Sequence, residues 1–395
     1  ATDAFYDDVR RGYKQKAAFA SVDFDIIPKR LTITGGTRWY QMDTYETGAK
    51  QGSFYCRPGG TYAYNPGNVP GACDNGLNLA TYQVPAGNAS YSDSAIGLKK
   101  RYDGFKSRAN LSWKVTDDAL IYYTWSQGFR PGGFNRSSGF VSAAKSPLKG
   151  VFLTPIGFKP DTLTNNEIGW KTEWLDHRVQ FNGAVYKEDW KDVQISLFDP
   201  GVLGNLTFTT NGPNYRVKGI ETELNVRVTH EFTVSASAAW NHSELINTPT
   251  LLGQDGKPIN FAAIGLANPY GEAGSPLAQS PPFQGSIRGR YEFVVGDYDA
   301  FVQVIGTHRA HSLSTTDKLR QDFKGNTVAY DMPGYSTMDA SIGVAKDAWN
   351  VQLYGTNLTD TRGIVYSTFT QWIKQDTVIR PRTLSLRFGY KFSSK

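Results

Sequence analysis

The chain has 395 residues and a formal net charge of +6, and it contains 40 Gly, 22 Tyr, 22 Phe and 9 Trp but only 3 Met and 2 Cys. This composition favours strands and turns over helices, and the scattered Lys and Arg residues argue against a nucleic-acid-binding protein. No run of about 18 apolar residues is present, which excludes a transmembrane helix, and no signal peptide is visible.

Alternating apolar and polar residues indicate β-strands from one end of the chain to the other. In the first strand Val22, Phe24 and Ile26 share one face, while Asp23 and Asp25 lie on the other. We find no convincing amphipathic helix. The predicted strands lie near residues 12–27, 30–44, 98–115, 118–129, 162–175, 177–198, 214–229, 231–244, 282–295, 297–310, 333–345, 348–359 and 378–392.

The fourth predicted strand ends in the sequence YYTWSQGFRPGGFN, residues 122 to 135. Its apolar face finishes at Tyr123 and Trp125, and the strand breaks off at Arg130-Pro131-Gly132-Gly133. Large aromatic residues with a polar group suit the boundary between an apolar layer and water. The pattern therefore predicts a strand that reaches the outer surface of a membrane, with a turn just beyond it.

The last predicted strand shows the same division between two faces. Leu384, Leu386 and Phe388 alternate with Ser385 and Arg387. We predict that the three apolar side chains touch lipid and that the two polar side chains line a hydrated lumen.

The connections between strands alternate strictly between short and long. The long ones include the first, from about Tyr45 to Gly97. A soluble sandwich has no reason to place all its short turns at one end, whereas outer-membrane barrels have short periplasmic turns and long external loops. The sequence therefore predicts an all-β, transmembrane antiparallel β-barrel. The short connections are Pro28-Lys29, Thr116-Asp117, Asp176, His230, Gly296 and Lys346-Asp347.

Three stretches of the chain resemble TonB-dependent outer-membrane receptors. YTWSQGFRPGGFN resembles a mid-barrel strand of that family, LYGTNLTDTRG its penultimate strand, and IRPRTLSLRFGYKF its last strand. The resemblance extends from about residue 12 onward and covers only the later portion of the family's barrel. It implies that residues 1–395 are a partial barrel domain, the C-terminal thirteen or so strands of about 22, without the family's N-terminal plug and TonB box.

The directions of the predicted strands also indicate that the chain is part of a larger barrel. The first and last predicted strands both run toward the periplasm, and thirteen is an odd number, whereas single-chain bacterial barrels have an even count. Residues 1–11, with Asp3, Asp7 and Asp8, have the character of a loop. We therefore expect the first and last strands not to pair with each other, and further strands to belong to sequence not included in this chain.

The resemblance further implies a multi-pass protein of the Gram-negative outer membrane that imports a bulky nutrient. The family's commonest cargo is a ferric siderophore, and its energy comes from the TonB complex through the N-terminal region. Alternatives are a carbohydrate-importing relative, a passive porin, or a surface-recognition barrel such as an adhesin or phage target. Ser142-Ala-Ala-Lys145 matches a Ser-x-x-Lys motif, but enzymes with that motif hold the pair on a helix of a soluble fold, so we interpret the match as coincidence. We find no other motif for catalysis and no clustered Cys/His metal set, and we expect neither an enzyme nor a cofactor.

Solute contacts are expected in the external loops, where Arg suits anionic groups and Tyr can stack on flat rings. The alternative role for each of these residues is packing between loops. Gly132 and Gly133 are expected to serve the turn rather than a ligand. The candidate ligand-binding residues are Arg57, Tyr62, Tyr64, Arg130, Asn135, Arg136 and Tyr270.

Cys56 and Cys73 lie within one long loop rich in Gly, Pro and Tyr. We predict a disulfide between them, which would stabilise the loop by about 3 kcal/mol and requires an oxidising compartment. Mass spectrometry of the unreduced protein should then show their peptides linked. Two freely alkylated thiols in the native protein would instead mean that the cysteines are unrelated.

Overall fold

The computed structural model describes most of the strands and part of the connections between them. The described residues are 5–52, 56–57, 61–62, 99–135, 148, 151–152, 155, 157–198, 207–253, 255–316, 329–370 and 373–392. Within these residues, no helix combines the length and the apolar character that a membrane crossing requires.

Thirteen strands form one antiparallel sheet in which neighbours along the chain are neighbours in space. Its order is β1-β2-β5-β6-β9-β10-β13-β14-β15-β16-β19-β20-β23. Across the described chain, β1 and β23 form the two edges and are not paired with each other, in agreement with the expectation from strand direction. In chain order the strands are β1 (Phe5–Ile27), β2 (Leu31–Gly52), β3 (Cys56–Arg57), β4 (Thr61–Tyr62), β5 (Lys99–Thr116), β6 (Ala119–Arg130), β7 (Gly133–Phe134), β8 (Gly157–Phe158), β9 (Asp161–Trp174), β10 (Val179–Lys191), β11 (Gln194–Phe198), β12 (Thr207–Asn211), β13 (Tyr215–Arg227), β14 (Phe232–Leu245), β15 (Phe283–Val295), β16 (Tyr298–Arg309), β17 (Ser312–Leu313), β18 (Asp331–Met332), β19 (Tyr335–Lys346), β20 (Trp349–Thr356), β21 (Ile364–Thr370), β22 (Ile373–Val378) and β23 (Thr383–Tyr390).

Each of the thirteen sheet strands overlaps one predicted strand, and all the predicted short connections are tight turns at one end of the sheet. Several of these turns need a left-handed backbone, at Lys29 (φ 63°), Asp347 (φ 50°) and Gly296 (φ 61°). The alternation of short and long connections is therefore a property of the fold. All the short turns lie at one end of the sheet, and all the long connections lie at the other.

The prediction that residues 1–11 form a loop is wrong for residues 5–11. Strand β1 begins at Phe5, and its first residues pair with the end of β2, from Phe5 opposite Gly52 to Arg11 opposite Glu46. A strand needs only about 9–11 residues to cross a membrane, so a strand of this length continues outside it.

Small hairpins occupy the long connections. They are the pairs β3–β4, β7–β8, β11–β12, β17–β18 and β21–β22, which the sequence analysis did not predict as separate elements. The predicted strand 177–198 is divided in this way: β10 ends at Lys191, Asp192 adopts a left-handed backbone (φ 53°), and β11 begins at Gln194.

The two faces of the sheet have the chemistry that alternation predicts. On β23, Leu384, Leu386 and Phe388 are 69%, 73% and 69% exposed on one face. Arg387 lies on the other face, in a groove that it shares with Gln303 and Tyr354 of neighbouring strands. An apolar face that is exposed along the whole sheet is expected where the surrounding medium is lipid.

The buried apolar side chains lie mainly outside the sheet, among the long connections. One cluster there packs around Tyr270, which is 1% exposed. The barrel wall itself has lipid on one side and a lumen on the other, so a conventional core forms only where the connections fold over one another. The members of this cluster are Leu148, Phe152, Leu197, Phe208, Leu251, Ile259, Phe261 and Tyr270.

Strand β13 offers a direct test of the two faces. We expect Ile220→Arg to destabilise the protein by about 2–4 kcal/mol, because Ile220 lies opposite Val185, about halfway up the apolar band, so the change places a charge in lipid near the midplane. Asn225→Arg should cost far less, because Asn225 lies on the polar face, where its amide donates to Glu223 Oε1 at 3.0 Å. Denaturant titration of protein reconstituted in vesicles measures both values, and equal costs would mean that the faces are assigned wrongly.

Candidate functional site

Charge on the polar face of the sheet is arranged in three bands. The register of the strands places an acidic band on β9, β10 and β13, between a basic band on β5 and another on β15 and β16. A lumen lined in this way presents separate acidic and basic surfaces to whatever fills it. The acidic band consists of Glu167, Glu188, Glu221 and Glu223, and the basic bands of Lys106, Arg108, Arg288, Arg290 and Arg309.

A groove of about 650 Å³ joins the acidic band to the second basic band. Its lining includes Glu221, Gln284, Arg309 and Tyr335, and Tyr122 lies at one side. The Tyr122 hydroxyl donates to Glu167 Oε1 at 2.7 Å. The groove thus combines an acid, a guanidinium, an amide and phenols, groups that can bind a polar solute.

Arg130 is the centre of a polar cluster where β6 ends. Its guanidinium donates to the buried carboxylate of Asp161, with Nε at 2.8 Å from Oδ2, and to the carbonyl oxygen of Gln194 at 3.0 Å. The guanidinium carbon also lies 4.7 Å from the centre of the Trp190 ring. The backbone amides of Arg130 and Gln194 donate to the same carboxylate. Arg130 therefore joins β6, β9, β10 and β11.

The glycines after Arg130 allow a close approach between two segments of backbone. A Cβ at Gly132 would lie 2.5 Å from the Tyr102 hydroxyl and even closer to the carbonyl oxygen of Phe158. A Cβ at Gly133 would lie 2.8 Å from the Phe158 ring. Any larger residue at these two positions would force β7 away from β8. The aromatic strand therefore ends in Pro-Gly-Gly, because the chain must turn close to the backbone of Phe158.

Asn135 has a structural environment. It is 4% exposed, and its Nδ2 donates to the carbonyl oxygens of Pro155 and Thr209, both at 2.8 Å. The amide nitrogen of Thr209 donates back to its Oδ1 at 2.7 Å. The side-chain amide thus pairs with the backbone of β12 as another strand would.

Tyr270 is buried in the cluster of connections. Its hydroxyl lies 3.1 Å from Thr210 Oγ1 and 3.2 Å from the carbonyl oxygen of Asn211. Burial raises the pKa of the Tyr270 phenol to about 12. This environment supports packing between loops; solute contact by Arg130, Asn135 and Tyr270 stays a prediction.

The other predicted site residues lie in the first two long connections. Arg57 and Tyr62 belong to the hairpin β3–β4, in which Cys56 pairs with Tyr62 and Arg57 with Thr61. Tyr64, Arg136 and Cys73 lie outside the described residues, so the disulfide also stays a prediction.

Sequence reasoning missed the partners of Arg130. Asp161, Trp190 and Gln194 each stand at the end of a strand, where a charged, aromatic or amide side chain follows the alternating pattern. Their position at strand ends could have marked these residues as candidates. The local sequence, however, does not indicate that the three side chains meet at Arg130. In the described part of the chain, no group of three or more His, Cys, Asp or Glu side chains is placed to hold a metal ion.

Comparison with known proteins identifies the family. A family model described as TonB dependent receptor-like, beta-barrel, matches residues 2–358. The probable TonB-dependent siderophore receptor PiuA of Acinetobacter baumannii is 24% identical over 157 residues, which are 40% of this chain and 19% of that protein.

Solved structures are similar in fold at low sequence identity. The ferric yersiniabactin uptake receptor FyuA of Yersinia pestis superimposes with a TM-score of 0.63 at 16% identity, covering 96% of this chain and 46% of that one. The siderophore receptor PiuA of Acinetobacter baumannii gives a TM-score of 0.63 at 16% identity, covering 98% and 44%. The chain thus spans less than half the length of either structure.

Removal of the Arg130 side chain should destabilise the protein strongly. Arg130→Met leaves the Asp161 carboxylate, 1% exposed, without its counter-ion, and we expect a loss of about 3 kcal/mol in the free energy of unfolding. Arg101→Met is the matched control: its pair with Asp43 is exposed, and its loss should cost about 0–1 kcal/mol. Denaturant titration in detergent measures both, and similar losses would show that the cluster at Arg130 adds little.

Tyr270 should make stability fall at alkaline pH. Its folded pKa is raised from 10.0 to about 12, so its contribution is present below pH 10 and is lost as the pH rises toward 12, where the unfolded state ionises first. The free energy of unfolding should therefore decline less steeply over this interval in Tyr270→Phe than in the wild type. Parallel declines would contradict the burial of this phenol.

Proposed function

Because this chain belongs to the TonB-dependent receptor-like β-barrel family, we propose that it forms part of an active transporter that imports a ferric siderophore complex. The chain is a multi-pass β-barrel protein of the Gram-negative outer membrane, and the fold and family are those of transporters and receptors rather than enzymes. The family match over residues 2–358 is the observation that carries the proposal.

The choice of cargo is supported by the relatives. PiuA is named as a siderophore receptor and FyuA as a ferric yersiniabactin uptake receptor. The polar face of the sheet is compatible with this cargo, because its groove of about 650 Å³ offers Arg309 for anionic groups and Tyr335 for stacking. In the proposal the solute passes along this face after release from the external side.

The partners and the domain assignment are part of the proposal. Energy would come from the TonB complex acting on an N-terminal plug. We propose that residues 1–395 are the later part of a larger barrel domain. The open edges at β1 and β23 support this, because an unpaired strand edge is unfavourable in lipid.

First contact with the solute is proposed at the hairpin β3–β4 and the segment after β7. Arg57, Tyr62, Tyr64 and Arg136 belong to these segments. Arg130, Asn135 and Tyr270 are proposed as supporting residues, and all three bind the connection between β10 and β13. In this proposal Arg57, Tyr62, Tyr64 and Arg136 contact the solute. Arg130, Asn135 and Tyr270 hold the connections in place, because their polar groups already bind other parts of the chain.

Uptake of ⁵⁵Fe tests the proposal. The full-length protein containing this chain would be expressed in a strain without siderophore receptors of its own and supplied with ⁵⁵Fe-loaded catecholate, hydroxamate and mixed-ligand siderophores. We expect uptake of at least one class, and its loss when TonB is deleted.

Variants separate recognition from folding. Arg57→Ala with Tyr62→Ala should raise the solute concentration needed for half-maximal uptake about tenfold, which corresponds to about 1.4 kcal/mol, at unchanged surface expression. Lys29→Gln, in a short turn at the opposite end of the sheet from the external connections, is the control. Uptake that persists without TonB would indicate a passive porin, and import of oligosaccharides alone would indicate a carbohydrate transporter.

A further inference from the structure

The lipid-facing surface of four central strands carries a polar row directly above an apolar row. Asn166, Lys187, Lys218 and His242 are direct cross-strand partners on β9, β10, β13 and β14. Two residues nearer the short turns, the same four strands carry another row of direct partners. These are Ile168, Val185, Ile220 and Trp240.

The polar row lies at the outer boundary of the membrane. From Val179, beside the short turn, to Lys187 the strand rises about 20 Å at the usual tilt, which approaches the top of an apolar band about 25 Å tall. Tyr123 marks the same level, since its hydroxyl lies 2.9 Å from Asn166 Oδ1. Aromatic residues with a polar group are typical of this boundary. Head groups of the outer leaflet are therefore at the height of the two lysines.

The two lysines lack sufficient negative charge around them. Lys187 and Lys218 are directly opposite each other, an arrangement that is unfavourable for like charges. Lys187 Nζ is 3.2 Å from Asp189, but that carboxylate also accepts from Arg216 at 2.8 Å. Lys218 has no ion-pair partner among the residues that the structure describes. Glu244, opposite Arg216 on β14, lies 3.7 Å from His242 Nε2, so Lys187, Lys218 and Arg216 face two carboxylates, Asp189 and Glu244. An anion placed between the lysines would remove this repulsion.

Another cation on the outward face of the sheet, farther from the short turns, is differently placed. Arg101 on β5 pairs with Asp43 on the adjacent strand β2 through two hydrogen bonds, of 2.6 and 3.2 Å. Its charge is compensated within the protein, so the uncompensated pair of lysines is not a general feature of this face.

Below the lysines, the surface forms a groove of about 850 Å³. Ile168, Val185 and Trp240 line it and are 57%, 49% and 48% exposed. Trp240 is held against Phe283, with ring centroids 4.7 Å apart, and forms one side wall. An apolar groove that ends at a cationic row matches a lipid with apolar chains and an anionic head group.

We propose that this surface binds an outer-leaflet lipid whose head group carries two phosphates. The row from Asn166 to His242 crosses three strand spacings, about 14 Å, which is wider than a single phosphate needs. One phosphate lies between Lys187 and Lys218, and the second accepts from Asn166, at the end of the row away from Glu244. The acyl chains lie in the groove over Ile168, Val185 and Trp240. This site is independent of the proposed transport.

Native mass spectrometry in a non-ionic detergent tests the site, with bisphosphorylated lipid A as the probe. The double variant Lys187→Gln and Lys218→Gln should bind it at least tenfold more weakly than the wild type. The control is the double variant Lys114→Gln and Lys171→Gln, which removes two lysines from the polar face and should bind as the wild type does. Lys218→Gln alone, which leaves the Lys187 pair with Asp189 intact, should give a partial loss.

Further probes identify the head group. Monophosphorylated lipid A and phosphatidylglycerol should both bind at least tenfold more weakly than the bisphosphorylated lipid, and inorganic phosphate should not compete. Unchanged binding in the Lys187/Lys218 variant, or an equal loss in the control, would overturn the site. Equal affinity for phosphatidylglycerol would overturn the requirement for two phosphates.

Discussion

The constraint on which the structure depends is that backbone N–H and C=O groups within a membrane have no water to bind. Each strand inside the sheet is therefore paired on both sides, in a meander where neighbours in sequence are neighbours in space. Irregularities in the main sheet are confined to places where water is near: the register shifts at Asp25/Ile27 and at Lys114/Thr116 both lie beside short turns. The long runs of unbroken pairing follow from the same requirement.

Pairing in this register also separates the chemistry of the two surfaces. On β13, Glu221 and Glu223 belong to the acidic band of the polar face, while Ile220 and Leu224, on either side of this pair in the sequence, face lipid. A shift of one residue would place both carboxylates in lipid, so the register is strongly determined. The same alternation continues beyond the apolar band, where it brings Lys218 to the lipid-facing side at the height of the head groups.

The connections on the external side form a structured layer rather than separate loops. Arg130, Asn135 and Tyr270 all bind the connection between β10 and β13, at Gln194, Thr209 and Thr210 respectively. The apolar cluster around Tyr270 supplies the buried contacts that the barrel wall lacks. Buried polar groups that are fully paired hold such a layer in one arrangement. Recognition of a solute then depends on side chains that project from the layer or line the polar face, with the Arg130 cluster as their support.

The sequence by itself determined the strands, the short turns and the two faces of the sheet, because all three are local: alternation needs only neighbouring residues, and tight turns need residues such as Gly296 and Asp347. It did not determine how far β1 continues outside the membrane, because that depends on pairing with the end of β2. Nor did it show the surroundings of the predicted site residues. Asn135 meets Thr209 across 74 positions and Tyr270 meets Thr210 across 60. Contacts between such distant residues arise only when the tertiary structure brings the connections together, since no local pattern encodes which strand end faces which loop.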